Sequence, residues 1–204
     1  MPNNNPVAIA VMAKAPIPGL VKTRLIPSIG AHAAGVLQER LTVRAVETAT
    51  GADIGPVTLW CAPDPSHTSF LELAAHHKLV LKQQPEGGLG ERMLAALAER
   101  PSLVIGTDCP ALTPAHLRDA ADALHGADVV LIPAEDGGYV LIGARAAQPE
   151  LFSGIAWGTS AVLSETRVRI SALGLRCAEL PALWDLDTEA DLARFERMFP
   201  ELAL

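Results

Sequence analysis

Aromatic side chains make up only 4 % of the sequence, too few for the stacking platforms that hold single-stranded nucleic acid. Positive charge is also in short supply. Sixteen Lys and Arg stand against 23 Asp and Glu, a net charge of −7, with an isoelectric point near 5.3. A broad phosphate-reading face carries the opposite sign, so nucleic acid is excluded as the expected partner. A small basic pocket stays compatible with these numbers, because net charge does not fix local charge. The three cysteines, Cys61, Cys109 and Cys177, form no Cys-x-x-Cys pair; they suit a reduced compartment and read as small buried fillers. No apolar run approaches the ~18 residues of a membrane span. Met1–Asn5 carries no positive charge ahead of the short run Val7–Ala13, so no secretory leader and a cytoplasmic location are expected.

What is present is apolar material in short, regular pieces. Half of the 204 residues are hydrophobic and 19 % are charged. A chain of this length can remove roughly 70 % of its unfolded surface from water, enough for one core without disulfides or a structural metal. Val7–Ala13, Val57–Ala62, Leu79–Lys82, Ser102–Gly106, Asp128–Pro133 and Tyr139–Gly143 read as strands, and Leu175–Leu180 as an extended segment. Helical spacing marks Ala31–Thr50, Pro65–His77, Leu89 to Arg100, a segment from Thr113-Pro114 to about Leu124, Ala161–Leu173 and Glu189–Met198. This alternation predicts one α/β domain over residues 1–204, a mostly parallel sheet with helices on both faces.

In such a sheet, ligands bind beyond the carboxyl ends of the strands. Four polar clusters fall there. The loop after the first strand, Lys14 to Arg24, gathers three of the 16 basic residues within eleven positions. Lys22 and Arg24 suit a triphosphate, Arg gripping oxygens two at a time; a solvated basic loop is the plain alternative. Neither the Walker spacing nor Gly-x-Gly-x-x-Gly is present. Asp108 follows a buried strand, where it can hold a divalent metal or serve as a turn or helix cap. Asp136-Gly137-Gly138 is first a hairpin turn and second a small-residue loop that admits a ligand, with Asp136 or Tyr139 in contact. Asp185 and Asp187 alternate ahead of a capping box formed by Thr188 and Asp191, so in an extended segment they share one side.

Five segments in order carry a resemblance: Met12–Leu25 (Met-Ala-Lys-Ala-Pro-x-Pro-Gly-x-x-Lys-Thr-Arg-Leu), Gly88–Met93 (Gly-x-Gly-Glu-Arg-Met), Gly106–Leu112 (Gly-Thr-Asp-Cys-Pro-x-Leu), Asp136–Gly143 (Asp-Gly-Gly-Tyr-x-Leu-Ile-Gly) and Asp185–Leu192 (Asp-x-Asp-Thr-x-x-Asp-Leu). Over nearly its whole length the sequence resembles a bacterial family of glycosyltransferase-A-like transferases of uncharacterised function. That family is similar to the molybdenum-cofactor nucleotidyltransferases and to 2-phospho-L-lactate guanylyltransferase. One position departs: the family has Gly-Asp-Leu-Gly-Glu-Arg-Met where this chain has Gly88, which leaves the role of that carboxylate unfilled.

The resemblance implies a three-layer α/β/α Rossmann-like sandwich, the nucleotide-diphospho-sugar transferase (glycosyltransferase-A) fold. It implies nucleotide contacts from Lys14, Gly19, Lys22 and Arg24, and from Gly88, Gly90 and Arg92. It implies acceptor contacts from Asp136, Gly137, Gly138 and Tyr139 and from Trp157, Gly158 and Thr159. Mg²⁺ (or Mn²⁺) would be held by Asp108 and Asp187, with Asp185 as the fallback, and Lys22, Arg24 and Asp108 would carry the chemistry. The expected reaction joins an NTP to a phosphorylated small molecule and releases pyrophosphate. Glycosyl transfer from a nucleotide-diphospho-sugar is the alternative, and a non-catalytic nucleotide-binding module the second. The expected partners are thus a nucleotide and a small-molecule acceptor, with neither nucleic acid nor membrane; a homodimer is compatible with the sequence.

Overall fold

The structure is a computed structural model that describes residues 6–98, 101–202 and 204. Its centre is one seven-stranded sheet. The strands are β1 (Ala8–Lys14), β2 (Val57–Ala62), β3 (Leu79–Gln83), β4 (Ser102–Ile105), β5 (Val129–Pro133), β6 (Tyr139–Ala144) and β7 (Cys177–Glu179). They lie in the order β3-β2-β1-β4-β6-β5-β7. Only β6 is antiparallel to its neighbours, paired with β4 on one side and β5 on the other. The predicted Asp-Gly-Gly hairpin is therefore real, and it inserts a reversed strand into an otherwise parallel sheet.

Helices fill both faces: α1 (Ile26–Ala52), α2 (Thr68–His76), α3 (Leu89–Ala96), α4 (Pro114–Ala123), α5 (Val162–Ala172) and α6 (Glu189–Met198). Side chains alternate across the strands with period two. Ile9, Val11, Leu103, Ile105, Val130 and Ile132 face a core built with α1, α2 and α4. Ala10, Val104, Val129 and Leu131 face a second core lined by Met93 of α3 and Leu97 just after it, and by Leu163 and Ile170 of α5. A third cluster joins Leu192 and Phe195 of α6 to Leu37 and Leu41 of α1, with Trp184 and Leu186 between them. The expected three-layer α/β/α sandwich is what forms.

The differences from the sequence reading are local. α1 begins at Ile26, five residues before the expected start, and is broken where Gly30 takes φ 80°, ψ 159°. Pro27, which reads as a loop residue, sits in the first turn of that short leading piece, where its missing N–H has no helical partner to lose. α2 starts three residues late, at Thr68, because His67 caps it by accepting from the Ser69 amide. The expected helix from Leu89 to Arg100 ends at Ala96, and its last two residues lie outside the described ones. The buried-filler reading holds for Cys61 alone. Cys109 is half-buried and Cys177 exposed, because β7 is the last strand of the sheet and has no neighbour beyond it.

Candidate active site

An open cleft of about 890 Å³ lies at the carboxyl edge of the parallel strands, within the size range of small-molecule sites. Because β6 runs backwards, its first residue, Tyr139, opens onto this same edge.

The loop after β1 enters from one side. Val21 and Leu25 are buried, 3 % and 0 % exposed, and pin the loop to the core. Between them Lys22 adopts φ 46°, a left-handed conformation that residues with a Cβ seldom take. Its side chain runs inward, only 4 % exposed, and the ammonium lies 2.5 Å from Asp108 Oδ1 and 3.6 Å from Asp187 Oδ1. It also donates to the Leu186 carbonyl at 2.6 Å. Arg24 is 68 % exposed and meets Asp187 Oδ2 at 3.3 Å. Lys14 also lines the cleft and is exposed.

The carboxylates come from two distant segments. Asp108 follows β4, and its backbone carbonyl accepts from Leu186 N–H at 2.8 Å. That bond docks the strip before α6 against the β4 loop. Trp184 and Leu186 point into the core, so by extended-chain alternation Asp185 and Asp187 both reach the cleft,. The expected capping box is present: Thr188 N–H donates to Asp191 Oδ2 at 2.8 Å, and Asp191 N–H to Thr188 Oγ1 at 3.3 Å. Asp185 is held in an unfavourable place for charge. Burial first, then the carboxylates of Asp108, Asp136 and Asp187, push its pKa up to about 7, against the pull of Lys22. Burial and then Asp185 push the Cys109 thiol up to about 12, so this half-buried cysteine is no thiolate nucleophile.

Another wall of the cleft is built by close approach. Gly137, at φ 93°, lies so near the Ser160 backbone that an added Cβ would collide with it. Gly137 O accepts from Leu163 N–H at 2.9 Å, tying the hairpin loop to the start of α5. Asp136, Gly138, Trp157, Gly158 and Thr159 line the cleft. A Cβ on Gly90 would fall 2.8 Å from Trp157 Cζ2, so this glycine seats the indole, which stacks on Phe152 at 6.4 Å between ring centroids. Tyr139 belongs to the lining, and burial pushes its hydroxyl pKa upward against the pull of the neighbouring Thr166 hydroxyl, so it stays protonated.

Of the expected site residues, Gly19, Gly88, Gly90 and Gly137 do not line the cleft, while the others do. Gly88 caps α3, its N–H donating to Glu91 Oε2 at 2.6 Å. Arg92 lines the cleft, held by Gly87 O at 3.0 Å and Gln84 Oε1 at 3.3 Å. Two glutamines were not anticipated. Gln38, 4 % exposed, donates to Thr107 Oγ1 at 2.9 Å and fixes the strand-end turn before Asp108. Its signal was a polar residue in the apolar stripe of α1. Gln84 donates to the carbonyls of Ala13 and Trp60 at 3.0 and 2.8 Å, closing the ends of β1 and β2.

Among the described residues no group of three or more His, Cys, Asp or Glu side chains could hold a metal ion. Mg²⁺ asks for less, since one or two carboxylates plus substrate phosphates suffice. Four carboxylates, Asp108, Asp136, Asp185 and Asp187, face the cleft. At Asp185, burial first and then the other three carboxylates outweigh the pull of Lys22. The donor set fits a divalent cation that arrives with a phosphate ligand.

The pattern defining DUF2064, described as an uncharacterized protein conserved in bacteria, matches residues 43–159, more than half of the chain. The chain belongs to the DUF2064 family. No curated protein matches it. Among solved structures, this DUF2064 chain is similar to a protein from Desulfovibrio desulfuricans G20 that carries the name nucleotide-diphospho-sugar transferase. The two share 24 % identity at TM-score 0.81, over 97 % of this chain and 98 % of that one. A nucleotidyl transferase from Methanothermobacter thermautotroptrophicus matches at 15 % identity and TM-score 0.63, covering 97 % and 99 %. CMP:2-keto-3-deoxy-manno-octonic acid synthetase, in complex with CTP, matches at 12 % identity and TM-score 0.58, covering 97 % and 99 %. At these identities the likeness is one of fold, and the DUF2064 chain has the nucleotide-diphospho-sugar transferase and nucleotidyltransferase fold.

Proposed function

We propose that the chain is a nucleotidyltransferase that joins an NTP to a phosphorylated small molecule and releases pyrophosphate. The observation that carries this reading is the convergence, at one sheet edge, of Lys14, Lys22 and Arg24 on Asp108, Asp185 and Asp187. Such transfer needs no protein nucleophile. An acceptor oxygen attacks the α-phosphorus in line, and the protein supplies position and charge. Lys14 stabilises the α-phosphate. Lys22 and Arg24 take up charge on the departing pyrophosphate, Arg24 being 68 % exposed and exchanging its Asp187 contact for it. Asp108 and Asp187, with Asp185 as the fallback, would hold Mg²⁺ or Mn²⁺, which when bound supplies a Lewis acid and a template for phosphate oxygens. Asp136, Gly138 and the Trp157–Thr159 loop border the acceptor, with Gly137 and Gly90 setting the position of that wall.

Two of the similar structures carry nucleotidyl-transfer chemistry in their names or ligands, a nucleotidyl transferase and a CTP complex. A second reading, sugar transfer from a nucleotide-diphospho-sugar, is favoured by the name of the Desulfovibrio protein. The leaving group separates the two. Thermal-shift screening of NTPs and nucleotide-sugars in Mg²⁺ finds the donor, since bound ligand raises the melting point by mass action. Turnover of that donor with a metabolite extract should then release pyrophosphate. Asp108→Asn should lower turnover by on the order of 10²-fold while retaining the far-UV circular dichroism of the wild type. Release of nucleoside diphosphate would establish sugar transfer, and near-normal turnover of Asp108→Asn would remove Asp108 from the chemistry.

A further inference from the structure

A divalent cation is not the only positive charge that Asp108 and Asp187 can hold. The Lys22 ammonium already sits on both, 2.5 and 3.6 Å from their oxygens, and on the Leu186 carbonyl at 2.6 Å. Lysine is strongly hydrated and almost never buried unless paired, yet this side chain is 4 % exposed. The backbone is set for the purpose: φ 46° at Lys22, between the buried anchors Val21 and Leu25, aims the side chain into the site. The carboxylates themselves are 47 % and 40 % exposed, so a solvated cation can reach them. It would meet an ammonium already in contact with the same oxygens. Like charges at that separation repel strongly in a partly desolvated site.

We propose that Lys22 is a built-in counter-ion that competes with the divalent cation for Asp108 and Asp187, so that the cation binds tightly only once nucleotide has drawn the ammonium away. The inference rests on the nucleotidyltransferase reading. In the free protein Lys22 offsets part of the charge on the pair and holds the β4 loop, the pre-α6 strip and its own loop together. Polyphosphate offers the ammonium a stronger anion and leaves the carboxylates for the cation that accompanies the nucleotide. Nucleotide and cation then bind with positive coupling, and by linkage each raises the affinity of the other equally. Lys22 so serves as a positioning residue before it serves the pyrophosphate.

Mn²⁺ binding to metal-stripped, nucleotide-free protein, followed by electron paramagnetic resonance, tests the competition directly. Lys22→Met and Lys22→Gln should bind Mn²⁺ at least about tenfold more tightly than wild type (about 1.4 kcal/mol). Lys22→Arg, which keeps the charge, should bind as weakly as wild type. Equal affinity in wild type and both neutral variants overturns the inference, and so does a failure of the neutral variants to bind Mn²⁺ at all. A measurement on wild type guards against variants that do not fold. The Lys22 Nζ resonance should move on addition of an α,β-methylene NTP and stay in place with Mg²⁺ alone; a shift with Mg²⁺ alone overturns the proposal. The nucleotide reading is judged separately. If no NTP raises the melting point, that reading falls, while the Mn²⁺ comparison still decides the role of Lys22.

Discussion

Replacing Asp185 by Asn isolates the electrostatic cost of gathering carboxylates in the cleft. The carboxyl of Asp185 is raised from an ordinary 3.8 to about 7, by burial before its three acidic neighbours. The folded chain therefore holds this proton more tightly than the unfolded chain does. Stability from that preference is fully present below about pH 4 and is lost as pH rises toward 7. A tenfold change in proton affinity corresponds to about 1.4 kcal/mol, so the whole loss is about 4 kcal/mol and the part between pH 5 and 8 about 3 kcal/mol. Against a total stability of roughly 5–15 kcal/mol, that is a large fraction. Asn has nearly the same shape and no charge to desolvate. Urea unfolding followed by tryptophan fluorescence, with EDTA present, should show wild type losing ground to Asp185→Asn by about 3 kcal/mol between pH 5 and pH 8. The variant should be the more stable protein at pH 8. An identical gap at both pH values, or a less stable variant at pH 8, would refute the argument that desolvated carboxylate repulsion is built into this site.

Two further substitutions probe the scaffolding of the cleft. Gly137→Ala adds a methyl group where the Ser160 backbone already stands and where φ is 93°. It should cost about 2–4 kcal/mol in unfolding free energy from strain and overpacking, read by urea titration, and should weaken acceptor more than nucleotide binding. Gln38→Leu leaves the Thr107 hydroxyl without its buried donor. It should cost about 1–3 kcal/mol, and should lower turnover by loosening the Asp108 turn, measured against unchanged nucleotide-induced thermal shift.

The strands and helices were legible because periodicity reports burial, and burial is what both the sheet and the helix faces impose. Val57–Ala62 and Glu189–Met198 match the sequence reading to the residue. The site was legible as a set of polar residues after strand ends, and Asp185, Leu186 and Asp187 alternate as the extended spacing predicts. What the sequence hid is pairwise geometry. Nothing in the spacing of Lys14 to Arg24 says that Lys22 turns inward, buried between two carboxylates, while Arg24 meets Asp187 from an exposed position. Gly90 and Gly137 read as ligand-contacting glycines, yet their small size serves Trp157 and Ser160 instead. That role depends on residues 67 and 23 positions away, outside any local window. Gln38 went unread although it stands on the buried face of α1, and its partner Thr107 is 69 residues away.

The docking of the strip before α6 has a consequence for the order in which this protein can be made. Lys22 and the Leu186 carbonyl are 164 residues apart. At roughly 5–20 residues per second, a ribosome delivers the second about 8–30 s after the first. Through the later part of that interval Lys22 has Asp108 as a partner but neither the Leu186 carbonyl nor Asp187. Full closure of the loop onto its partners therefore waits for the Asp185–Asp187 strip, which is made long after Asp108. A nascent chain stopped short of Trp184 would carry all seven strands and Lys14, Lys22 and Arg24, yet lack Asp185 and Asp187. The docking of Leu186 on Asp108 thus brings the carboxylates of Asp185 and Asp187 to the cleft only after every strand of the sheet has been made.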